Sequence, residues 1–284
     1  MSKIGFIGVG LMGHGMAARL MRAGHNLTVI AHRNRAPIDD LVAKGAREAA
    51  SLADIAAGQD AIFLCVTGTP QVESILAAIG PSLAANQIVV DTGTSIPDST
   101  TRLAADLAVR GIGWADAPVG GGVQNAASGE LVSMVGATAA DFARVKTWLE
   151  ATSKAVHHMG GPGTGHRAKL LNNMVSVGQA ALVLQAYTIA RKSGLDWQKL
   201  FEIMMAGIAR SGSLERIMVP ALRGDFDGYV FSASNAGKDL GYAADFADAS
   251  GEPSGVPAAL RDYFLDAAMQ HGGGTLISQL LKGG

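Results

Sequence analysis

The first half of the chain alternates between short apolar runs and stretches of helical period. Residues 4–7 read as a strand, followed by a glycine-rich turn and a helix over 13–23 that Gly24 is placed to end. Strands are expected at 27–31, 61–66, 88–91, 113–115 and 131–135, and helices at 38–44, from Ser51, at 71–78 and at 98–110. Such alternation predicts a mostly parallel sheet with helices on both faces. After about residue 165 the strand pattern stops. Helices are expected at 169–193, 197–205, 212–222, 238–249 and 257–270, with a short last one at 276–281.

The predicted fold is therefore α/β, an N-terminal Rossmann-type doubly wound sheet plus a C-terminal all-α domain. The breakers Gly160-Gly161-Pro162-Gly163 put the boundary between an α/β domain at 1–162 and an all-helical domain at 163–284. The helical part is strongly apolar for its size. A second subunit covering some of it predicts a homodimer or homotetramer.

Composition narrows the function classes. With 48% hydrophobic and 17% charged residues, disorder is excluded. A net charge of −1 offers neither a nucleic-acid footprint nor a membrane patch. No run of about 18 apolar residues predicts a membrane span, and no leader pattern is visible, so a soluble cytoplasmic protein is the expectation. The single cysteine, Cys65, lies in an apolar run and reads as a small core residue. His157 and His158 are adjacent, so on a strand they point to opposite faces, and no metal is assigned.

The candidate chemistry begins at Gly8-Val9-Gly10-Leu11-Met12-Gly13, a GxGxxG that follows a strand and opens a helix. Gly8 permits the tight turn, Gly10 lets the backbone approach a pyrophosphate, and Gly13 allows close helix packing. The helix start, with Leu11 and Met12, offers free N–H groups to phosphates. The second strand ends in Ile30-Ala31-His32-Arg33-Asn34-Arg35 with no carboxylate before Asp39. NAD sites place Asp or Glu near here for the ribose hydroxyls. Arg33 and Arg35 instead suit a 2′-phosphate, so NADP(H) is predicted, with NAD possible; a solvated loop is the competing reading. Lys169 and Asn173 are four apart and share a helix face. A lysine with a lowered pKa can move the proton that must accompany hydride transfer at an oxygen.

Four segments in register give the chain its resemblance. They are Gly5 to Gly13; Asp116-Ala117-Pro118-Val119-Gly120-Gly121-Gly122 with Gly129-Glu130-Leu131; Gly163-Thr164-Gly165-His166-Arg167-Ala168-Lys169-Leu170-Leu171-Asn172-Asn173; and Lys238-Asp239-Leu240, seven residues after Phe231. Across essentially its whole length the chain resembles the β-hydroxyacid dehydrogenases, the group of 3-hydroxyisobutyrate dehydrogenase, tartronate semialdehyde reductase and the larger 6-phosphogluconate dehydrogenases. The resemblance implies Lys169 as the catalytic lysine and Asn173 as its active-site neighbour. It implies Thr94 beside the nicotinamide, with Val66 and Lys238 as further cofactor contacts. Gly120, Gly121 and Gly122 would bind the substrate carboxylate, with Ser211 and Asp239 as further substrate contacts.

The chain departs from the family pattern at Gly120, where Ser is usual. Backbone N–H groups of Gly120 to Gly122 remain to form an anion nest, and the missing side chain argues against a small substrate of the hydroxyisobutyrate type. Gly93 also stands where Ser is frequent. His166 and Arg167 replace small or uncharged residues, and each either brings positive charge near the site or faces solvent. The expected activity is hydride transfer between NADP(H) and a small carboxylate-bearing hydroxy acid or its semialdehyde. An imine reductase-like NADPH enzyme and a non-catalytic NADPH-binding regulator are the alternatives. Lys169 speaks against the first, since many imine reductases carry Asp or Tyr there, and the joint presence of Lys169, Asn173 and Lys238 speaks against the second.

Overall fold

The structure, a computed structural model, describes residues Met1–Lys282. It divides into two compact units, Met1–Lys169 and the chain from Leu170 on.

The first unit begins β1 (Lys3–Ile7), α1 (Leu11–Arg22), β2 (Asn26–Val29), α2 (Ala36–Ala43), β3 (Arg47–Glu48), α3 (Leu52–Ala56), β4 (Ala61–Leu64), α4 (Thr69–Ile79), β5 (Ile88–Asp91) and α5 (Pro97–Ala108). It continues β6 (Gly113–Asp116), β7 (Val119–Gly120), α6 (Val123–Ser128), β8 (Leu131–Ala137), α7 (Ala139–Thr152) and β9 (Ser153–Gly160). The strands form one sheet in the order β3-β2-β1-β4-β5-β6-β8-β7, with β9 also on β8. The first six are parallel, in the doubly wound order. Strand β8 reverses direction against β6 and β7, and β9 runs parallel to it.

Alternate strand residues feed two cores, as the pleat requires. Phe6, Phe63, Ile88 and Val90 pack with Met16, Leu20 and Leu149. Ile62, Leu64 and Val89 face the other way, onto Ile55, Leu76 and Leu107. Helices thus cover both faces, as the alternation predicted. Local caps fix several starts: the Ser51 side chain accepts the Asp54 N–H at α3, and Thr138 accepts the Asp141 N–H at α7.

A single long helix, α8 (Thr164–Lys192), starts in the first unit and enters the second. The remaining helices are α9 (Trp197–Ala206), α10 (Gly212–Ala221), α11 (Ala233–Ala249) and α12 (Gly255–His271), followed by a 3-10 turn at Ile277–Leu281. Leu184, Tyr187, Leu214, Met218, Leu240 and Phe264 centre the core of this unit. Met204 and Met205 pack against its edge, in the core role methionine usually takes. No helix among the described residues is long and apolar enough to cross a membrane.

Candidate active site

The glycine turn sits at the carboxyl end of β1, beside β4, where the strand order reverses direction. Ligands of doubly wound sheets bind at such a switch point. Gly8 has φ +100°, and a Cβ there would strike the Cys65 carbonyl, so only glycine suits the turn. A Cβ on Gly13 would strike the Gly8 carbonyl, which holds α1 tight against the turn. Gly10 has no atom within 4 Å of its Cβ direction. It is the N-cap of α1, with no side chain capping the first turn, and the first in-helix bond is His14 N–H to the Gly10 carbonyl. The N–H groups of Leu11, Met12 and Gly13 therefore point out of the helix start without helical acceptors. This cradle fits a dinucleotide pyrophosphate on its own geometry.

Around it, Val66 lies 3.1 Å from where a Gly8 Cβ would be, and its carbonyl lies 2.9 Å from the corresponding point of Gly93. Gly93 belongs to the turn after β5, which Asp91 organises. Its Oδ1 accepts the Gly93 N–H at 2.9 Å and its Oδ2 accepts the Ser95 hydroxyl at 2.9 Å. Thr94, between them, is partly exposed and makes no side-chain hydrogen bond among the described residues. Cys65 is the strand-end residue behind the glycines, and burial pushes its thiol up to about 11, as suits a packing residue.

At the end of β2 a hollow of about 430 Å³ is lined by Ile30, Ala31, Glu48, Ala49 and Ala50. Arg35 lies near it but its guanidinium is committed. It donates to both Glu48 carboxylate oxygens at 3.0 Å and to Asp39 at 2.9 Å. Of the two arginines expected at a 2′-phosphate, Arg35 is thus held by carboxylates from β3 and α2. Arg33 is exposed and forms no ion pair among the described residues.

The loop 117–122 leads from β6 to α6. Lys169 Nζ donates to the Val119 carbonyl at 2.7 Å, so the lysine stands at the head of the three glycines. The Gly122 N–H is donated to Asn125 Oδ1 at 3.0 Å, which fixes the start of α6, and Gly120 pairs with Val132 in β7. Gly122 is thus spent as a donor.

Asp116, at the end of β6, caps α8. Its carboxylate accepts the Gly163 N–H at 2.7 Å and the His166 N–H at 2.9 Å. Burial pushes the Asp116 carboxyl up, against the opposing pull of His166 and these N–H groups. His166 is fully buried, whereas Arg167 is exposed. The crossing of α8 over β8 is close: a Cβ on Gly165 would lie 2.8 Å from the Gly136 nitrogen, and one on Gly136 would lie 2.7 Å from the Gly165 nitrogen.

Asn173, one helical turn after Lys169, is 5% exposed. Its Nδ2 donates to Asp239 Oδ2 at 2.7 Å, and Lys238 Nζ donates to Asp239 Oδ1 at 2.6 Å. Lys238 also sits 4.9 Å over the Tyr242 ring. Asp239, expected as a substrate contact, is a buried partner of Asn173 and Lys238, its oxygens engaged by these two donors. The Ser211 oxygen caps α10 by accepting the Leu214 N–H at 3.1 Å. Among the described residues no group of three or more His, Cys, Asp or Glu is arranged to hold a metal. His158 stacks on Phe142 and meets the Ala137 carbonyl at 2.9 Å.

Sequence reasoning missed His166 and Asp116 as parts of one buried cluster. Their partners lie 47 to 75 residues away, and no local spacing signals them.

Comparison with known proteins identifies the assembly. Residues 3–161 match the model of the NAD binding domain of 6-phosphogluconate dehydrogenase. Residues 163–282 match that described as NAD-binding of NADP-dependent 3-hydroxyisobutyrate dehydrogenase. The 2-(hydroxymethyl)glutarate dehydrogenase of Eubacterium barkeri is 34% identical, over 90% of this chain and 84% of its own. The 3-sulfolactaldehyde reductase of Escherichia coli is 32% identical, over 94% and 90%. A solved 3-hydroxyisobutyrate dehydrogenase from Mycobacterium tuberculosis, with L-serine, superposes with a TM-score of 0.87 at 25% identity, covering 99% of this chain and 98% of that one. Both units and the order of their motifs therefore agree: the chain belongs to the β-hydroxyacid dehydrogenase family of NAD(P)-dependent oxidoreductases, which act on CH–OH groups.

Proposed function

We propose that this protein interconverts a small carboxylate-bearing hydroxy acid and its semialdehyde or keto form, with NADP(H) as the redox partner. The observation that carries the reading is the anchoring of Lys169 Nζ on the Val119 carbonyl, at the head of the Gly120–Gly122 loop. Gly8, Gly10, Leu11, Met12 and Gly13 would hold the pyrophosphate, with Val66 and Thr94 near the nicotinamide, which when bound supplies or accepts the hydride. Lys169 moves the proton. In the reducing direction its ammonium gives a proton to the carbonyl oxygen as that oxygen becomes a hydroxyl; in oxidation the amine takes it back. The Val119 carbonyl orients the group. Asn173 has one amide hydrogen on Asp239, so the second hydrogen and Oδ1 are left for the substrate oxygen. Gly120 and Gly121 face the carboxylate. Lys238, tied to the same Asp239, adds positive charge on the Asn173 side.

NADP(H) preference is assigned to Arg33. It is the arginine after β2 without a carboxylate partner among the described residues, whereas Arg35 would have to leave Glu48 and Asp39 to reach a phosphate.

A homo-oligomer is supported by α8. Leu171, Val175, Leu182 and Ile189 are each more than half exposed. At about 100° per residue they fall within roughly 40° of one another. A bare apolar stripe of this kind suits a symmetric subunit contact, and sedimentation as a monomer at micromolar concentration would remove it.

The activity test is NADPH oxidation against carboxylate-bearing semialdehydes, keto acids and imines, beside Lys169→Ala. The expected result is turnover of a carboxylate-bearing aldehyde or ketone that falls on the order of 100- to 10,000-fold in the variant. Turnover confined to imines, or indifferent to Lys169, would reject the reading.

A further inference from the structure

His166 occupies a fully buried position in the first turn of α8, three residues before Lys169. The side chains that face it come from three elements. Asp91 from β5 has Oδ2 3.6 Å from Nε2, Asp116 from β6 has Oδ2 3.9 Å from Nδ1, and Thr100 from α5 has Oγ1 2.8 Å from Nδ1. Both carboxylates are fully buried.

The proton positions follow from the partners. Thr100 has one hydroxyl hydrogen, and its oxygen lies 3.2 Å from the Ile96 carbonyl, which can only accept. With that hydrogen on Ile96, Thr100 Oγ1 accepts from His166, so Nδ1 carries a proton. Nε2 makes no hydrogen bond among the described residues and its nearest charged atom is an Asp91 oxygen, 3.6 Å away. Were Nε2 unprotonated, its lone pair would face that carboxylate, acceptor against acceptor, in a fully buried cluster. Protonation of Nε2 removes that conflict.

We infer that His166 is a positioning residue, an imidazolium that bridges Asp91 and Asp116 and so fixes the 92–95 turn and the start of the Lys169 helix together. Each carboxylate already organises one of those parts. Asp91 holds the Gly93 N–H and the Ser95 hydroxyl, and Asp116 holds the Gly163 and His166 N–H groups. The shared cation faces both carboxylates and draws them inward. Its role in turnover rests on Lys169 acting as proposed above; the bridge itself does not.

The first test is nitrogen NMR of histidine side chains in the intact protein at about pH 8, where ordinary imidazoles are neutral. One imidazole with both nitrogens protonated, lost on unfolding and absent from His166→Gln, is expected. A His166 with a single ring proton at that pH would overturn the bridge. The second test reads positioning in His166→Gln. Faster amide exchange at Gly93 and Gly163 is expected, with kcat lowered on the order of 10- to 100-fold and the KM for NADPH little changed. Unchanged exchange at both amides, whatever the rate does, would show that the turn and the helix are held without His166. If the variant does not fold, the imidazole spectrum of the parent protein decides. If the parent turns over no hydroxy acid or semialdehyde, the proposed function fails while the spectrum and the exchange still judge the bridge.

Discussion

The Asn173 amide nitrogen stands 2.7 Å from the Asp239 carboxylate, and that one contact fixes which way the amide faces. A carboxylate only accepts, so the amide NH₂ must point toward it and Oδ1 away. Asp239→Asn ends this discrimination and also removes the Lys238 ion pair. A loss of about 1–3 kcal/mol in stability is expected, with a fall in kcat larger than any rise in the KM for substrate. Denaturant unfolding and steady-state kinetics check it; unchanged values in both would show that Asn173 is oriented by something else.

Gly120 and Gly121 predict opposite outcomes for the same substitution. A Cβ at Gly120 meets nothing nearer than 3.8 Å, so Gly120→Ser should fold as well as the parent and add a hydroxyl to the loop. Gly121 has φ +122°, and a Cβ there would lie 2.9 Å from Leu131 Cδ2. Gly121→Ser should cost roughly 1–3 kcal/mol. Improved turnover of small 3-hydroxy acids by Gly120→Ser alone would identify the missing hydroxyl as what limits them. No gain would place the pocket's adaptation at other residues.

The two arginines after β2 should separate in cofactor kinetics. Arg33→Ala is expected to raise the KM for NADPH by about tenfold, the scale of a lost charge-assisted contact of about 1.5 kcal/mol, with little effect for NADH. Arg35→Ala should change the NADPH value less and instead loosen Glu48 and Asp39. Equal losses from both would mean that Arg35 exchanges its carboxylates for the phosphate.

The thiol of Cys65 should be nearly inert in the folded protein. With its value pushed from 9.0 to about 11, only about 0.1% is thiolate near pH 8. Alkylation should be slow until denaturant is added. The folded form keeps its proton above the unfolded value, so stability falls as pH rises from 9.0 to about 11. Cys65→Ala should flatten that fall. Rapid labelling of native protein near pH 8 would contradict the burial.

Much of this was readable in the chain itself, for local reasons. The strand residues 4–7, 61–64 and 88–90 are continuous apolar runs because both faces are buried, and Gly8, Gly10 and Gly13 carry their geometry in their identity. Helix α7 hid its signal: its buried apolar residues, Val145, Trp148 and Leu149, begin only midway along it, although Thr138 and Asp141 mark its start. The two-residue strands β3 and β7 are too short for any period. The reversal of β8 depends on partners far along the chain. The same distance hid the fates of Arg35, Asp239 and His166. Each residue type was legible, but Glu48, Asn173 and Asp91, which help to claim them, lie 13, 66 and 75 residues away in turn.

The near-touching backbones of Gly136 and Gly165 bear on how such an enzyme can diverge. Either glycine, replaced alone, drives a methyl group into the other's backbone or into Asp116, so single-step drift at this crossing is closed in both directions. Gly120, in the same unit but 16 residues before Gly136, has open room and tolerates exploration. Laboratory libraries aimed at new substrates would therefore gain by randomising 120 while holding 136 and 165 constant, and lineages of this fold are free to change what they act on without disturbing the joint that seats the helix carrying Lys169.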